Sequence, residues 1–324
     1  MILQEALSRL SGSGRAPCDL GEHLAGALAS AVLDGGADDL ELGALLEQKA
    51  VMPDELRGYA HALKHRCSRL TPPAASARPV VFACYRGVRE CPHLLPVVAL
   101  TLARLGVPVL VHGALDGGGG VAAAQVFREL GMFPCASLAQ AQARLDDAKL
   151  AFVPAAVLAP GLAAALALKG RLGFGGLAQS LARLLAPFGS EALYVVSPSA
   201  AMGSALLREH LAAGELRALL LDGVEGEPFA NPRRRPRIEY ILSGSCSLLY
   251  DSESQALALP ATLPAAIDAR AVASWMRRAL RGEAPIPLPI LNQLACCLYG
   301  SGYAVDMNEA KAVVAVETGS LAAT

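Results

Sequence analysis

Apolar positions along this chain fall into two kinds of segment, and the change between them divides it near residue 70. Before that point the chain reads as helix throughout, with helices predicted over 2–10, 20–33, 40–49 and 53–69. Pro53 followed by Asp54 and Glu55 marks a helix start, because proline fits the first turn and carboxylates favour its positive end. From Pro79 onward short β-branched runs take over. Val80 to Ala83 and Val107 to Val111 are predicted strands of a parallel sheet covered on both faces. Leu94 to Leu105 has the length and apolar spacing of the crossover helix between them, with Pro96 in its first turn and Gly106 as its stop.

The rest of the chain alternates in the same way. A helix is expected at 122–130, a strand near Leu150, a helix at 177–185, a strand at 193–196, a helix at 201–212 and a strand at 218–221. A hairpin-like pair follows at 238–242 and 247–250, then helices from about Asp268, Pro289 and Asn308. The fold class is therefore α/β: a small N-terminal helical domain, residues 1–70, and a mostly parallel α/β domain, residues 71–324. A Pro/Ala/Ser linker, Thr71 to Arg78, joins them. Leu150 to Leu168 carries no charge and is about long enough to span a bilayer. Pro154, Pro160 and Gly161 interrupt it, so a strand, a loop and an alanine-rich helix are expected and no membrane span.

Composition changes this picture in two ways. The formal net charge is −1, so a nucleic-acid or membrane partner requires basic residues gathered on one face. The eight cysteines form no CxxC pair and the N-terminus does not resemble a signal peptide, so a reduced, cytoplasmic protein is expected. Cys84 and Cys91 read as small buried hydrophobes.

Candidate chemistry concentrates at a few places. The loop Ala83 to Cys91 follows a strand and precedes a helix, where free backbone N–H groups favour an anion. It carries Arg86 and Arg89, readable as anion contacts or as solvated surface arginines, and only Gly87 allows close backbone approach. Lys169 and Arg171 bracket a glycine before a helix and are a second possible anion contact or a plain surface loop. Arg233, Arg234, Arg235 and Arg237 lie around Pro232 and Pro236 in an extended segment, where guanidinium forks suit phosphates. Glu225 and Glu227 read as divalent-cation ligands or as a solvated acidic turn. His112-Gly113 ends a strand at the sheet's carboxyl edge beside the loop Gly117 to Gly120. His61 and His65 share a helix face without an identifiable third ligand and read as surface or partly buried histidines.

The runs GALLEQKAVMPDELRGYAHALK, VPVLVHG, FRELG, LGFGGLAQSLARLLAP and DGVEGEPFANPRRRP, in this order, resemble the anthranilate phosphoribosyltransferases, in particular their YbiB-like branch. The resemblance implies a helical N-terminal domain, an α/β domain of the nucleoside phosphorylase and phosphoribosyltransferase type, and a homodimer formed through the helical domain. The catalytic pattern departs from the family. Its diphosphate loop GTGGDG falls on Ala83 to Val88, its metal serine on Leu95, its phosphate lysine on Gly120, and its acidic metal pair near Glu225-Gly226 with Glu227 one place late. These departures remove backbone donors, a metal ligand and a cation that phosphoribosyl transfer needs.

The YbiB-like branch is similar in lacking that activity and is associated with nucleic-acid binding of low sequence specificity. The expectation is thus a homodimeric, cytoplasmic DNA- or RNA-binding protein without cofactor or assigned catalytic residue. It would act through Arg233, Arg234, Arg235 and Arg237, helped by Arg86, Arg89, Lys169 and Arg171. The competing expectation is a transferase or phosphorylase acting on a phosphorylated ribose, with Glu225 and Glu227 holding Mg²⁺. A third is a scaffold that binds only protein partners.

Overall fold

The computed structural model describes residues 5, 8, 9, 19–35, 50–167, 176–253, 255 and 263–319. Its elements run α1 (Gly21–Leu33), α2 (Pro53–Lys64), β1 (Val80–Cys84), α3 (Leu95–Arg104), β2 (Val109–Gly113), α4 (Ala123–Glu129), α5 (Leu138–Ala148) and β3 (Leu150–Pro154). There follow α6 (Pro160–Ala167), α7 (Gly176–Ala182), β4 (Leu193–Val196), α8 (Ser204–Ala213), β5 (Arg217–Leu221), β6 (Ile238–Leu242) and β7 (Ser245–Tyr250). Three helices close the chain: α9 (Ala269–Leu280), α10 (Leu288–Ser301) and α11 (Met307–Thr318). The helix expected at 40–49, and most of that at 2–10, lie outside the described residues.

The chain forms two compact units. The helical unit comprises Met1–Arg69, Ala155–Pro187 and Ser199–His210. Its first segment ends where the sequence breaks near residue 70, but the chain returns to it after β3 and again after β4. In sequence both returns look like ordinary crossover helices, which is why the pattern predicts a continuous boundary. Inside this unit α1 and α2 meet through Gly26 and Gly58, and a Cβ on Gly58 would lie 2.1 Å from the Glu22 carbonyl oxygen. Leu24, Leu28, Leu56, Tyr59 and Leu63 form the seam. Glu55 helps set the start of α2: its Oε2 accepts from the Met52 N–H (2.9 Å) and its Oε1 from the Leu20 N–H (3.0 Å). The helix ends at Lys64, short of the expected Arg69.

The α/β unit, Leu70–Pro154, Phe188–Pro198 and Leu211–Thr324, carries a seven-stranded sheet in the order β3-β2-β1-β4-β5-β6-β7. The first five strands are parallel, and β6 and β7 add antiparallel. The buried β-branched runs of β1 and β2 pair from Val80 with Val109 to Cys84 with Gly113. The chain leaves β1 in one direction for β2 and β3 and continues on the other side with β4 and β5, so the topological switch point lies between β1 and β4. In open α/β sheets the crevice at the carboxyl ends of such strands is where ligands bind.

One sequence reading holds in outline and one element is new. The uncharged run at 150–168 is β3, a helical turn at Ala155–Leu158 and the short helix α6. No helix among the described residues is long and apolar enough to cross a membrane. Helix α5 has no counterpart among the predicted elements, although its capping signal is local: Ser137 Oγ accepts from the Gln140 N–H (3.2 Å), and Gln140 Oε1 from the Ala136 N–H (2.7 Å).

Candidate functional site

The crevice at the switch point is filled by the chain itself. After β5 the segment 222–230 turns back over the carboxyl ends of β1 and β4. Ser197, just past β4, donates its hydroxyl to the carbonyl oxygens of Leu221 (2.8 Å) and Glu227 (3.2 Å). A Cβ on Gly223 would lie 1.9 Å from the Glu227 carbonyl oxygen, so only glycine permits this approach. Gln293, buried in α10, clamps the far end of the segment: it accepts from the Ala230 N–H (2.8 Å) and donates to the Pro228 carbonyl (2.9 Å).

From this segment two carboxylates reach the loop after β1. Glu227 is fully buried, and its Oε1 accepts from the N–H groups of Tyr85 (3.1 Å) and Arg86 (2.8 Å). Its Oε2 lies 3.5 Å from Nε2 of His93, a buried imidazole stacked on Phe229 at 4.8 Å. Glu225 Oε1 accepts from the N–H groups of Arg89 (2.6 Å) and Glu90 (3.0 Å). Glu225 achieves this from a left-handed backbone, φ 50°, a conformation that costs a non-glycine residue about 1–3 kcal/mol. Neither carboxylate belongs to the solvated acidic turn that is one reading of the sequence.

The loops after β1 and β2 close on each other. The N–H of Gly87 donates to the Gly117 carbonyl (3.2 Å) and that of Val88 to the Val121 carbonyl (3.0 Å). Gly87, Gly117 and Gly120 pack backbone against backbone, and a Cβ on Gly87 would sit 2.6 Å from Gly117 Cα. Arg89 caps the junction, with Nη2 donating to the Gly118 carbonyl (2.8 Å) and Nε to that of Gly119 (3.3 Å). On the outer side of the junction lies an open cleft of about 570 Å³ bordered by Arg89, Gly119, Gln125 and Arg128. Arg128 is an exposed cation that sequence reasoning misses; its only signal is its place one helix beyond the glycine loop.

The predicted arginines divide into two groups. Arg86, Arg233 and Arg234 are exposed, and their guanidinium groups have no hydrogen bond or ion pair among the described residues. Arg235 pairs with Glu253 (3.0 Å) and lies over the Tyr250 ring. Arg237 pairs with Glu239 (2.8 Å) and Asp251 (3.2 Å), and these acceptors hold its proton more firmly than in free arginine. Lys169 and Arg171 lie outside the described residues.

Cys91 is buried at the end of the loop after β1. Burial, with Glu225 and Glu90 adding, pushes its thiol up to about 12 while the Arg233 charge opposes them. It is therefore a protonated, inert thiol. His61 and His65 meet edge to face at 4.8 Å, and no group of three or more metal-ligating side chains occurs among the described residues.

His112 is buried beneath the loops, with its Nδ1 2.8 Å from the Tyr85 hydroxyl. Burial pushes its pKa down to about 3 from the usual 6.5. Above pH 6.5 the imidazole is neutral in folded and unfolded chains alike and contributes no pH dependence. As pH falls below 6.5 the unfolded chain takes up a proton that the folded one refuses, and stability is lost down to about pH 3. At pH 5 the expected loss is about 2 kcal/mol. His112→Asn flattens this limb of the stability profile in urea titrations between pH 7 and 4. An unchanged limb would place the acid sensitivity elsewhere.

The chain is 35% identical over 300 residues to the YbiB protein of Escherichia coli K12, covering 91% of this chain and 93% of that protein. It is 24% identical over 335 residues to the anthranilate phosphoribosyltransferase of Methanosphaerula palustris, covering 100% and 96% respectively. Its fold matches the crystal structure of anthranilate phosphoribosyltransferase from Thermus thermophilus with a TM-score of 0.72, at 20% identity over 99% of this chain and 95% of that one. It matches the enzyme from Saccharomyces cerevisiae, solved in complex with PRPP and Mg, with a TM-score of 0.71 at 14% identity over 99% and 94%. No protein-family model matches the chain.

Proposed function

This chain belongs to the YbiB-like branch of the anthranilate phosphoribosyltransferase family, and on that premise we propose that it binds nucleic acid with low sequence specificity. It works without a cofactor and without phosphoribosyl transfer, as a cytoplasmic homodimer whose two copies double the basic face. One observation carries the reading: Arg86, Arg233 and Arg234 are exposed cations without partners among the described residues. Arg86 lies in the loop after β1, whose backbone N–H groups the chain's own carboxylates engage. Phosphate contacts need cations and no base-reading element, which fits DNA or RNA of any sequence. Arg89 and Arg128, which border the outer cleft, are two further basic residues for such contacts.

A salt titration of binding to single- and double-stranded DNA and to RNA of equal length tests this. With three to five phosphates neutralised per protomer, the logarithm of affinity falls against the logarithm of salt with a slope of about −3 to −4.5 on duplex and about −2 to −3.5 on single strands. Lack of binding at low salt to all three would end the proposal.

A further inference from the structure

The second sequence reading gave Glu225 and Glu227 a magnesium ion for a phosphorylated-ribose substrate, and the geometry fits neither that ion nor a phosphate on the neighbouring loop. Every backbone N–H from Tyr85 to Glu90 already has an acceptor inside the protein. Tyr85 and Arg86 donate to Glu227, Gly87 to Gly117, Val88 to Val121, and Arg89 and Glu90 to Glu225. An incoming phosphate would find none of these donors free. The same bonds point the positive ends of four N–H dipoles at the carboxylate oxygens that a cation would need, and the remaining Glu227 oxygen faces His93 in a fully buried position. Magnesium takes an octahedron of oxygens and keeps several waters, and Glu227, enclosed in this way, offers it no such shell.

The geometry points to Glu225 and Glu227 as an internal anion: they occupy the place a diphosphate would take at the switch point and hold the loop closed without a ligand. This goes beyond nucleic-acid binding, which rests on exposed arginines and stands or falls separately. The chemistry supports the substitution. A carboxylate, like a phosphate, presents anionic oxygens that accept charge-assisted bonds from successive backbone N–H groups. Glu225 adopts a left-handed backbone to reach its donors, as expected of a group placed for what it holds. A phosphorylated ribose would therefore have to displace two tethered carboxylates before making its first contact.

Glu225 gives the cleanest test, because glycine accepts its left-handed backbone and removes only the carboxylate. Calorimetry of the full-length protein with pyrophosphate and Mg²⁺ compares wild type with Glu225→Gly, after circular dichroism has established that the variant folds. Glu225→Gly is expected to bind at least about tenfold more tightly than wild type, through two recovered charge-assisted hydrogen bonds. Equal affinity in the two proteins, or saturable binding to wild type as tight as to the variant, overturns the inference. Hydrogen exchange on wild type alone gives a test that needs no variant. The amides of residues 85–90 are expected to be protected, and their protection is expected to be unchanged by pyrophosphate. Exchange at the rate of an open loop, or new protection when pyrophosphate is added, overturns it equally.

Discussion

Replacing Glu227 by alanine lowers the stability of this protein by about 3–5 kcal/mol, as expected when one partner of a buried charged network is removed. The side chain has no exposed surface, and it is the acceptor on which Tyr85 and Arg86 depend. Truncation strands those donors, opens a cavity against His93 and Phe229, and releases the 222–230 segment from the loop. Glu227→Gln keeps an oxygen for both N–H groups and places an amide opposite His93, so its cost is about 1–2 kcal/mol. Urea denaturation of the three proteins measures the difference. An alanine variant within about 1 kcal/mol of wild type would show that the loop closes without this carboxylate.

The triple replacement Arg86→Ala, Arg233→Ala and Arg234→Ala lowers affinity for nucleic acid about a hundredfold at low salt and flattens the salt slope by about 2 to 3, near 0.9 for each lost contact to duplex. Arg235→Ala with Arg237→Ala has a smaller effect on binding. Glu253, Glu239 and Asp251 already engage those guanidinium groups, and a phosphate would have to compete with them. Fluorescence anisotropy on a labelled oligonucleotide, repeated over a salt series, separates the two sets. A triple variant that binds like wild type, or a dominant effect of the 235/237 pair, would count against the assignment of the interface.

The contrast between those sets shows where sequence reading stops. Four arginines within five positions are visible in one dimension, but which of them face an acid depends on the pairing of β6 with β7, which brings Asp251 beside Arg237. The unit β1–α3–β2 is legible almost to the residue because its signals are local: β-branched runs, Pro96 in the first turn, and Gly106 at φ 85° after the last. Helix α5 carries an equally local signal in Ser137 and Gln140, one that a search for apolar periodicity alone misses. The roles of Glu225 and Glu227 have no such signal. Their partners lie 135 to 142 residues away, and a carboxylate two places from another in a Gly/Pro segment reads equally well as a cation ligand or a surface turn. Only the strand order brings the segment after β5 onto the loop after β1.

The three-part make-up of the helical unit bears on how the protein is made. Residues 199–210 complete that unit, yet they leave the ribosome only after β1, β2, β3 and β4. The N-terminal helices must therefore wait, with part of their apolar surface uncovered, while most of the parallel sheet is synthesised. The sheet in turn waits for the chain beyond residue 211. Domains that are continuous in sequence mature one after another as they emerge. Here the interleaved segments make both units late finishers: the helical unit lacks its last segment until residue 210, and the α/β unit is completed only by residues 211–324.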